Sequence, residues 1–516
     1  MDEKPKKKRI ASRILSVLSG LLVGGAAYYL YSTALGYGFN DIPQLTRIFE
    51  LAKYGIIAVT AVLALLGLLN IPVGFKILKM LLCTALAGAL IFVQIKGSYY
   101  LNKIYDTVSP IPQKGKTEFS IYIPNEASDV NPGVLGMLSN YDVDNLQEEA
   151  LKQLNVGSYT VNGYTRNLEL LDNLDEHNTG GVVMDWRYVQ ASWDHYRFHG
   201  ERSYHYYDFE NQYKKFNSVT LEYDCPSSLE PYTGNFTDKA FVVALGITDQ
   251  WNYAELGPDG YTARTYDNIA FVVNPVTKDI MLVLFPRDAI VMTTINGREG
   301  RDVLCRTSLY GTDAWVKAME SLLGCPVDIA VRLEMTDLIP LIDAIGGITV
   351  DNPLGFPSNT VNVMQDGQLK PYPAVFEKGE IKLDGKQAYV YMMEYEELVN
   401  GEEGRPDHIL RVLTGIVNHG YSLKYLFDNR DTILDAAHDI VKINVELNHL
   451  VKTILNSPSL LGEYNIKPYS FTGYGSAAEC LSMYSQFVGG FQIHFSQLER
   501  FQATVKAVLN NEGIPL

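Results

Sequence analysis

Cysteine is scarce in this chain: five in 516 residues, too few and too scattered for a disulfide framework at this length. Cys225, Cys305, Cys325 and Cys480 follow no zinc spacing, which leaves one or two disulfides or unpaired buried thiols as the alternatives. No Ser or Cys stands in a nucleophile elbow, and no Gly-rich loop has the form of a phosphate cradle. His195, His199 and His205 lack carboxylate partners at ligand spacing, so no metal site is read from them. Positive charge is short as well. The formal net charge of −16 argues against nucleic acid as the main partner. What basic charge there is crowds the start, as Lys4, Lys6, Lys7, Lys8, Arg9 and Arg13, so the remainder is more acidic than the total suggests.

Long apolar runs follow that cluster. Ile14 to Phe39 carries no charge and exceeds the ~20 residues a bilayer crossing needs. It is too long for a cleavable signal, and two more runs follow, Tyr54–Phe75 and Ile77–Ile95, with Pro72 and Gly74 near their link. Three spans are expected; a helical hairpin buried in a soluble core fits the uncharged lengths poorly. The basic tail, Lys76 and Lys79 predict the inner side, and the link from Asn40 to Lys53 the outer. An odd number of crossings then places everything after about Lys96 outside. The expected organisation is a cytoplasmic tail (1–13), three transmembrane helices (14–98), an extracellular accessory domain (99–235) and a larger domain (239–516). That describes a multi-pass cell-membrane protein with its bulk extracellular.

Beyond the spans, Ser120–Pro124 and Gly180–Asp185 read as strands and Leu146–Leu154 as a helix. Trp186, Trp193 and Tyr204-His205-Tyr206-Tyr207 read first as core and second as a stacking platform for sugars or peptides. Phe241–Gly246 is a buried strand. Two apolar runs, Ile269–Val273 and Ile280–Phe285, flank the turn-like Asn274 to Asp279 and predict a hairpin that delivers Arg287-Asp288 at its end. A helix over Asp313–Leu323 lies between Thr312 and Gly324, and a strand over Val327–Leu333 follows. A helix over Asp337–Ile345 stops at Gly346-Gly347, and Ile348–Val350 is again a strand. Gly379–Tyr391 reads as a turn, a short helix and an apolar strand, and a helix runs from about Asp407 to Tyr421. Alternation of this sort implies a mixed α/β fold, a sheet with helices on its faces.

The polar residues at these strand ends are mostly Asp and Arg: Asp249, Arg264, Asp267, Arg287, Asp288, Arg306 and Arg405. Guanidinium groups are rigid forks suited to phosphate oxygens, and carboxylates suit a hard cation such as Mg²⁺. Together they could clamp a pyrophosphate and neutralise charge that builds up in phosphoryl transfer. Any one alone reads as an ordinary ion pair. The grouping carries the functional reading.

The order of motifs from Lys239 onward resembles the LytR–CpsA–Psr family of cell-wall phosphotransferases. The resemblance rests on the strand into Pro286-Arg287-Asp288, on Leu338 to Val350 (LIPLIDAIGGITV), and on Leu383-Asp384-Gly385-Lys386-Gln387-Ala388. With a basic tail, three spans and an accessory segment, the chain looks like the capsule-type branch. The resemblance implies a protein on the outer face of a Gram-positive membrane that holds a polyprenyl-pyrophosphate-linked glycan. The lipid tail would lie in an apolar channel between sheet and helices. Transfer of the phosphoglycan to peptidoglycan would release polyprenyl phosphate. Mapped here, Arg287, Asp267 and Arg264 take catalytic roles. Arg287, Arg264, Arg306 and Arg405 bind pyrophosphate, and Asp249 (displaced by one position) with Asp267 holds Mg²⁺. The family's Arg-x-Arg after Gln387-Ala388 appears here as Met393 and Tyr395, and Asp407, His408, Ile409 and Leu410 replace most of an arginine-rich helix start. The alternatives are an impaired relative that binds lipid-linked glycan or scaffolds envelope assembly and, from the family's historical name, a transcription regulator.

Overall fold

A computed structural model describes residues 3–512 except 38, 40–42, 70–71, 106–107, 110–113, 140–145, 166, 186–211, 225–228, 230, 235, 249–263, 296, 399–404, 419–424, 426–427, 437–440, 446–448, 450–452, 454–463 and 484–485. The expected aromatic stretch from Trp186 to Tyr207, with its three histidines, therefore lies outside the described residues, as do Cys225 and Asp249. The chain divides into two compact units, Met1–Val108 with Glu446–Gly462, and Ser109–Val445 with Glu463–Leu516.

The first unit contains α1 (Glu3–Gly36), α2 (Pro43–Leu68) and α3 (Val73–Tyr105). All three are long and apolar enough to cross a membrane, over Ile10–Gly36, Leu45–Leu68 and Gly74–Lys103. The second and third helices begin earlier than the apolar runs predicted, because Arg47, Glu50, Lys53 and Lys76 end apolarity without ending a helix. Small residues let α1 and α2 approach closely: a Cβ on Gly20 would sit 2.9 Å from the Leu63 backbone, and one on Gly67 2.7 Å from Val17 N. Lys79 turns inward and donates to the carbonyl oxygens of Ser16 and Leu63, both at 2.5 Å, so α3 is tied to both neighbours.

The second unit opens on a five-stranded sheet made by β1 (Lys114–Pro124), β2 (Val134–Leu138), β3 (Thr160–Tyr164), β4 (Gly181–Asp185) and β5 (Tyr213–Asp224), ordered β3-β2-β4-β1-β5. Helices α4 (Leu146–Gln153) and α5 (Asn167–Asp175) link the parallel strands β2, β3 and β4, while β1 and β5 are antiparallel additions. The crossover helices bury Leu170, Leu171 and Leu174 on one side and Leu146 and Ala150 on the other.

The larger sheet contains β6 (Phe241–Thr248), β7 (Asp267–Asn274), β8 (Asp279–Phe285) and, after α6 (Thr312–Leu323), β9 (Ile329–Glu334). Helices α7 (Leu338–Ala344), α8 (Gly385–Met393) and α9 (Arg405–Val417) precede the strands β10 (Val441–Ile443) and β11 (Asn465–Tyr469), and α10 (Phe495–Leu509) closes the fold. The strand order is β10-β9-β6-β7-β8-β11, with mixed parallel and antiparallel pairs. The expected hairpin is β7–β8. Its turn is shaped by Asn274, whose side-chain oxygen accepts from Val276 N and Thr277 N, and by Lys278 at φ 60°.

Alternation along the central strands decides which helices cover which face. Leu245, Ile247, Ile269, Leu282 and Leu284 point to one side, where α7, α8 and α9 pack. Ala244, Ala270, Val272, Met281, Val283 and Phe285 point to the other, against α6 and α10. Gly324 ends α6 in the left-handed conformation, as expected of a glycine stop.

The stretch after Gln387 is helical where an apolar strand was expected. Asp384 caps α8 by accepting from Gln387 N, and Gln387 returns a bond to Asp384 N, so the start is a capping box. The following Ala388-Tyr389-Val390-Tyr391-Met392-Met393 is buried on every side, and such a run shows no periodicity to separate helix from strand. Gly385 completes the start: its N donates to Asp343 Oδ1, and a Cβ there would lie 2.1 Å from Ile339 O. Gly385→Ala is expected to cost about 1–3 kcal/mol through this backbone clash, read as a lower urea midpoint at unchanged slope.

His408 on α9 is stacked between Phe356 (4.8 Å) and Tyr391 (4.3 Å), and its Nδ1 donates to the Tyr391 carbonyl at 2.9 Å. Burial lowers its pKa below the ordinary 6.5. The folded chain therefore refuses a proton that the unfolded chain accepts. Stability is complete above pH 6.5 and falls as pH drops from there toward the lower folded value, by at most about 1.4 kcal/mol per pH unit. Urea midpoints at pH 7.5 and 5.5 should differ in that sense, and His408→Phe should shrink the difference.

Candidate functional site

One end of the larger sheet collects the polar side chains. The antiparallel register sets Ile247 opposite Asp267 and Asn268 opposite Phe285, so the carboxyl ends of β6 and β8 meet the amino end of β7. Strand β9, parallel to β6, brings Glu334 level with Thr248, whose hydroxyl donates to it. Carboxyl ends of strands are where open α/β sheets place their ligands. Asp267, the first residue of β7, is 2% exposed. Arg405, the first residue of α9, reaches it from the other side of the core. Its Nη2 donates to Oδ1 at 3.1 Å and Oδ2 at 3.2 Å, while Nε donates to the Met392 carbonyl at 3.1 Å. The Tyr266 ring lies under two guanidinium groups, Arg405 at 4.1 Å and Arg287 at 5.2 Å.

A second group of arginines surrounds Cys305. The Cys305 N donates to Arg287 O at 3.0 Å, and its carbonyl accepts from Thr265 N at 3.3 Å, which ties the Arg264 loop to the Arg287 turn. Burial pushes the Cys305 thiol up to about 12, with Asp288 adding to the rise. Arg287, Arg264 and Arg306 pull the other way without prevailing, so all three guanidiniums lie around one sulfur that stays protonated at neutral pH. That thiol is no nucleophile. Arg306 is 2% exposed and sits beside Asp302, whose carboxyl is held above its ordinary range by complete burial. Asp302 in turn accepts from Ser482 N at 2.6 Å and Ser482 Oγ at 2.9 Å. The arrangement offers clustered cations with one buried and one exposed carboxylate, a set suited to gripping a phosphate anion.

The profile of the LytR_cpsA_psr family matches residues 203–490, more than half of the chain. This chain belongs to that family. Two similar curated relatives are polyisoprenyl-teichoic acid–peptidoglycan teichoic acid transferases TagU. That of Enterococcus faecalis (strain ATCC 700802 / V583) is 32% identical over 45% of this chain and 70% of its own length. That of Bacillus subtilis (strain 168) is 29% identical over 42% and 63%. The chain thus spans roughly two thirds of the length of these relatives. The crystal structure of B. subtilis TagV aligns over 53% of this chain and 99% of its own, at 22% identity and a TM-score of 0.41.

As a LytR_cpsA_psr family member, the chain brings Arg264, Asp267, Arg287, Arg306 and Arg405 to one end of the sheet, while Asp249 lies outside the described residues. Sequence reasoning missed Tyr266, although its place between Arg264 and Asp267 was a signal. It also missed Arg332 on β9, 3% exposed, with its guanidinium 5.2 Å over the Trp315 ring beside Gly246. Met393 is the last residue of α8, and its sulfur lies 4.0 Å from Arg405 Nη2. Tyr395 is 39% exposed just past that helix. Among the described residues no three His, Cys, Asp or Glu side chains gather to hold a metal. Asp267, a buried carboxylate paired with Arg405, fits Mg²⁺ only in the mode in which the cation keeps waters and is shared with substrate phosphates. Cys83, Cys305, Cys325 and Cys480 are free thiols.

Proposed function

We propose that this protein transfers a phosphate-linked glycan from a polyprenyl-pyrophosphate carrier to a sugar hydroxyl of peptidoglycan, in wall-polymer or capsule assembly of a Gram-positive envelope. The observation that supports this best is the meeting of Arg264, Arg287, Arg306 and Arg405 with Asp267 at one strand end, beside an apolar face covered by α7, α8 and α9. The names of the curated relatives point to the same class of reaction. In this reading Arg287, Arg264, Arg306 and Arg405 grip the pyrophosphate oxygens, and Asp267 aims Arg405 by its paired contacts. The prenyl chain would run along the apolar face. The acceptor hydroxyl oxygen bonds to the glycan-side phosphorus, its proton passes to an Asp carboxylate, and the bond to the polyprenyl phosphate oxygen breaks. When bound, Mg²⁺ would be held by Asp267 and Asp249 and would neutralise charge on the phosphates. The three helices anchor the chain in the cell membrane with the amino terminus inside and the second unit outside.

A second reading, a non-catalytic relative that binds lipid-linked glycan or scaffolds its assembly, is favoured by one contact. Neutral Met393 stands where the family has a guanidinium, next to Arg405. The full chain in detergent, given a polyprenyl-pyrophosphate glycan, a peptidoglycan acceptor and Mg²⁺, is expected to release polyprenyl phosphate. Binding without release would support the second reading, and neither binding nor release would overturn both.

A further inference from the structure

Residues 354–378 leave the core as a long antiparallel ribbon. Phe356–Ser358 pairs with Ala374–Phe376, Asn362–Gln365 pairs with Gln368–Pro371, and Tyr372 N donates to Val361 O between the two ladders. The tip turns through Asp366 (φ 52°) and Gly367 (φ 75°), both in the left-handed region that a tight hairpin needs. Phe356, Val361, Val363 and Phe376 face inward and belong to the apolar cluster beneath α8 and α9. An antiparallel ribbon with one face in the core ordinarily turns polar side chains outward. Here the outward cross-strand pairs are Pro357 with Val375, Met364 with Leu369, and Asn362 with Pro371. Val375 is 71% exposed and Leu369 42%, with Leu354 at the base 61% exposed. Two of the three outward pairs are therefore apolar on both strands, and among the described residues Val375, Leu369 and Leu354 stay exposed.

We infer that the outward face of the 354–378 ribbon docks on the surface of a lipid bilayer. Three observations select lipid over another protein. The same chain carries three helices long enough to cross a membrane, so a bilayer is always within its tether. The outward side chains are Leu, Val, Met and Pro with Asn362 alone polar, and they lack the Arg anchors that concentrate binding energy at protein interfaces. Lys370 and Lys378 balance Asp366 and Glu377, which makes the ribbon neutral in a chain of net charge −16, so it escapes the repulsion that an acidic surface meets at anionic head groups. Docking stands apart from the transfer reaction and does not depend on it.

The test is a photo-crosslinking benzophenone amino acid at Val375 or Leu369 of the full chain, in vesicles of phosphatidylglycerol and phosphatidylethanolamine. The same probe at Val276 serves as reference: it is 54% exposed but on the hairpin turn at the far end of the sheet. Irradiation should give phospholipid adducts at Val375 and Leu369, several-fold more than at Val276. Introducing Met364→Glu with Leu369→Glu should lower the adduct yield at Val375 while the thermal midpoint holds, since both side chains already face outward. A covalent dimer in place of lipid adducts, or equal lipid labelling at Val276, would overturn the inference.

Discussion

Arg405→Ala is expected to destabilise the second unit by about 3–5 kcal/mol, the largest single effect among the site residues. The reason lies in what the mutation leaves behind. Asp267 is 2% exposed and accepts from Arg405 Nη2 through both of its carboxylate oxygens, and the Arg405 side chain is itself only 10% exposed. Removing the guanidinium takes its charge-assisted pairing from a buried carboxylate and frees the Met392 carbonyl at the end of α8. It also removes the nearer of the two cations over Tyr266. Urea unfolding of the full chain, followed by the signal of the second unit, measures the loss. The double variant Asp267→Leu with Arg405→Met should recover much of it, because no charge is then left in the core. Equal midpoints for Arg405→Ala and the unmodified chain would show that the pair contributes nothing to the fold.

Arg287→Ala should leave that unfolding midpoint within about 1 kcal/mol, since Arg287 is only half-buried in a turn after β8. Its expected effect is on the reaction. One charge-assisted contact to a phosphate is worth about 1.5–3 kcal/mol, or one to two orders of magnitude in polyprenyl phosphate release. Arg287→Lys keeps the charge and loses the fork, so it should fall between the two. Retained release at full rate in Arg287→Ala would remove this residue from the phosphate grip. The contrast with Arg405 is the informative part: one arginine is held by the fold and serves it, while the other is presented by a turn.

Much of this was legible in order along the chain. Apolar runs, uncharged but for Lys79 in the third, marked the three helices, and two apolar runs about a six-residue turn marked β7–β8. The glycine stop after α6 and the Gly346-Gly347 break after α7 were local signals of the same kind. Helix α8 was not legible as a helix past Gln387, because a run buried on every side carries no period. Nor did hydropathy mark where α2 and α3 begin, since charged residues are compatible with a helix that extends past a membrane.

What the sequence determined by itself is the list of elements and the chemistry at their ends, above all the hairpin that delivers Arg287. Backbone propensity, periodicity and turn chemistry act over a few residues, and those signals sit in consecutive letters. The partnerships were decided by tertiary structure alone. Asp267 and Arg405 are 138 positions apart, and only the packing of α9 across the face of the sheet brings their charges within 3.1 Å. The same packing sets Met393 beside Arg405 and turns an apolar ribbon face outward, because which side of an element meets the core depends on its neighbours and not on its own letters.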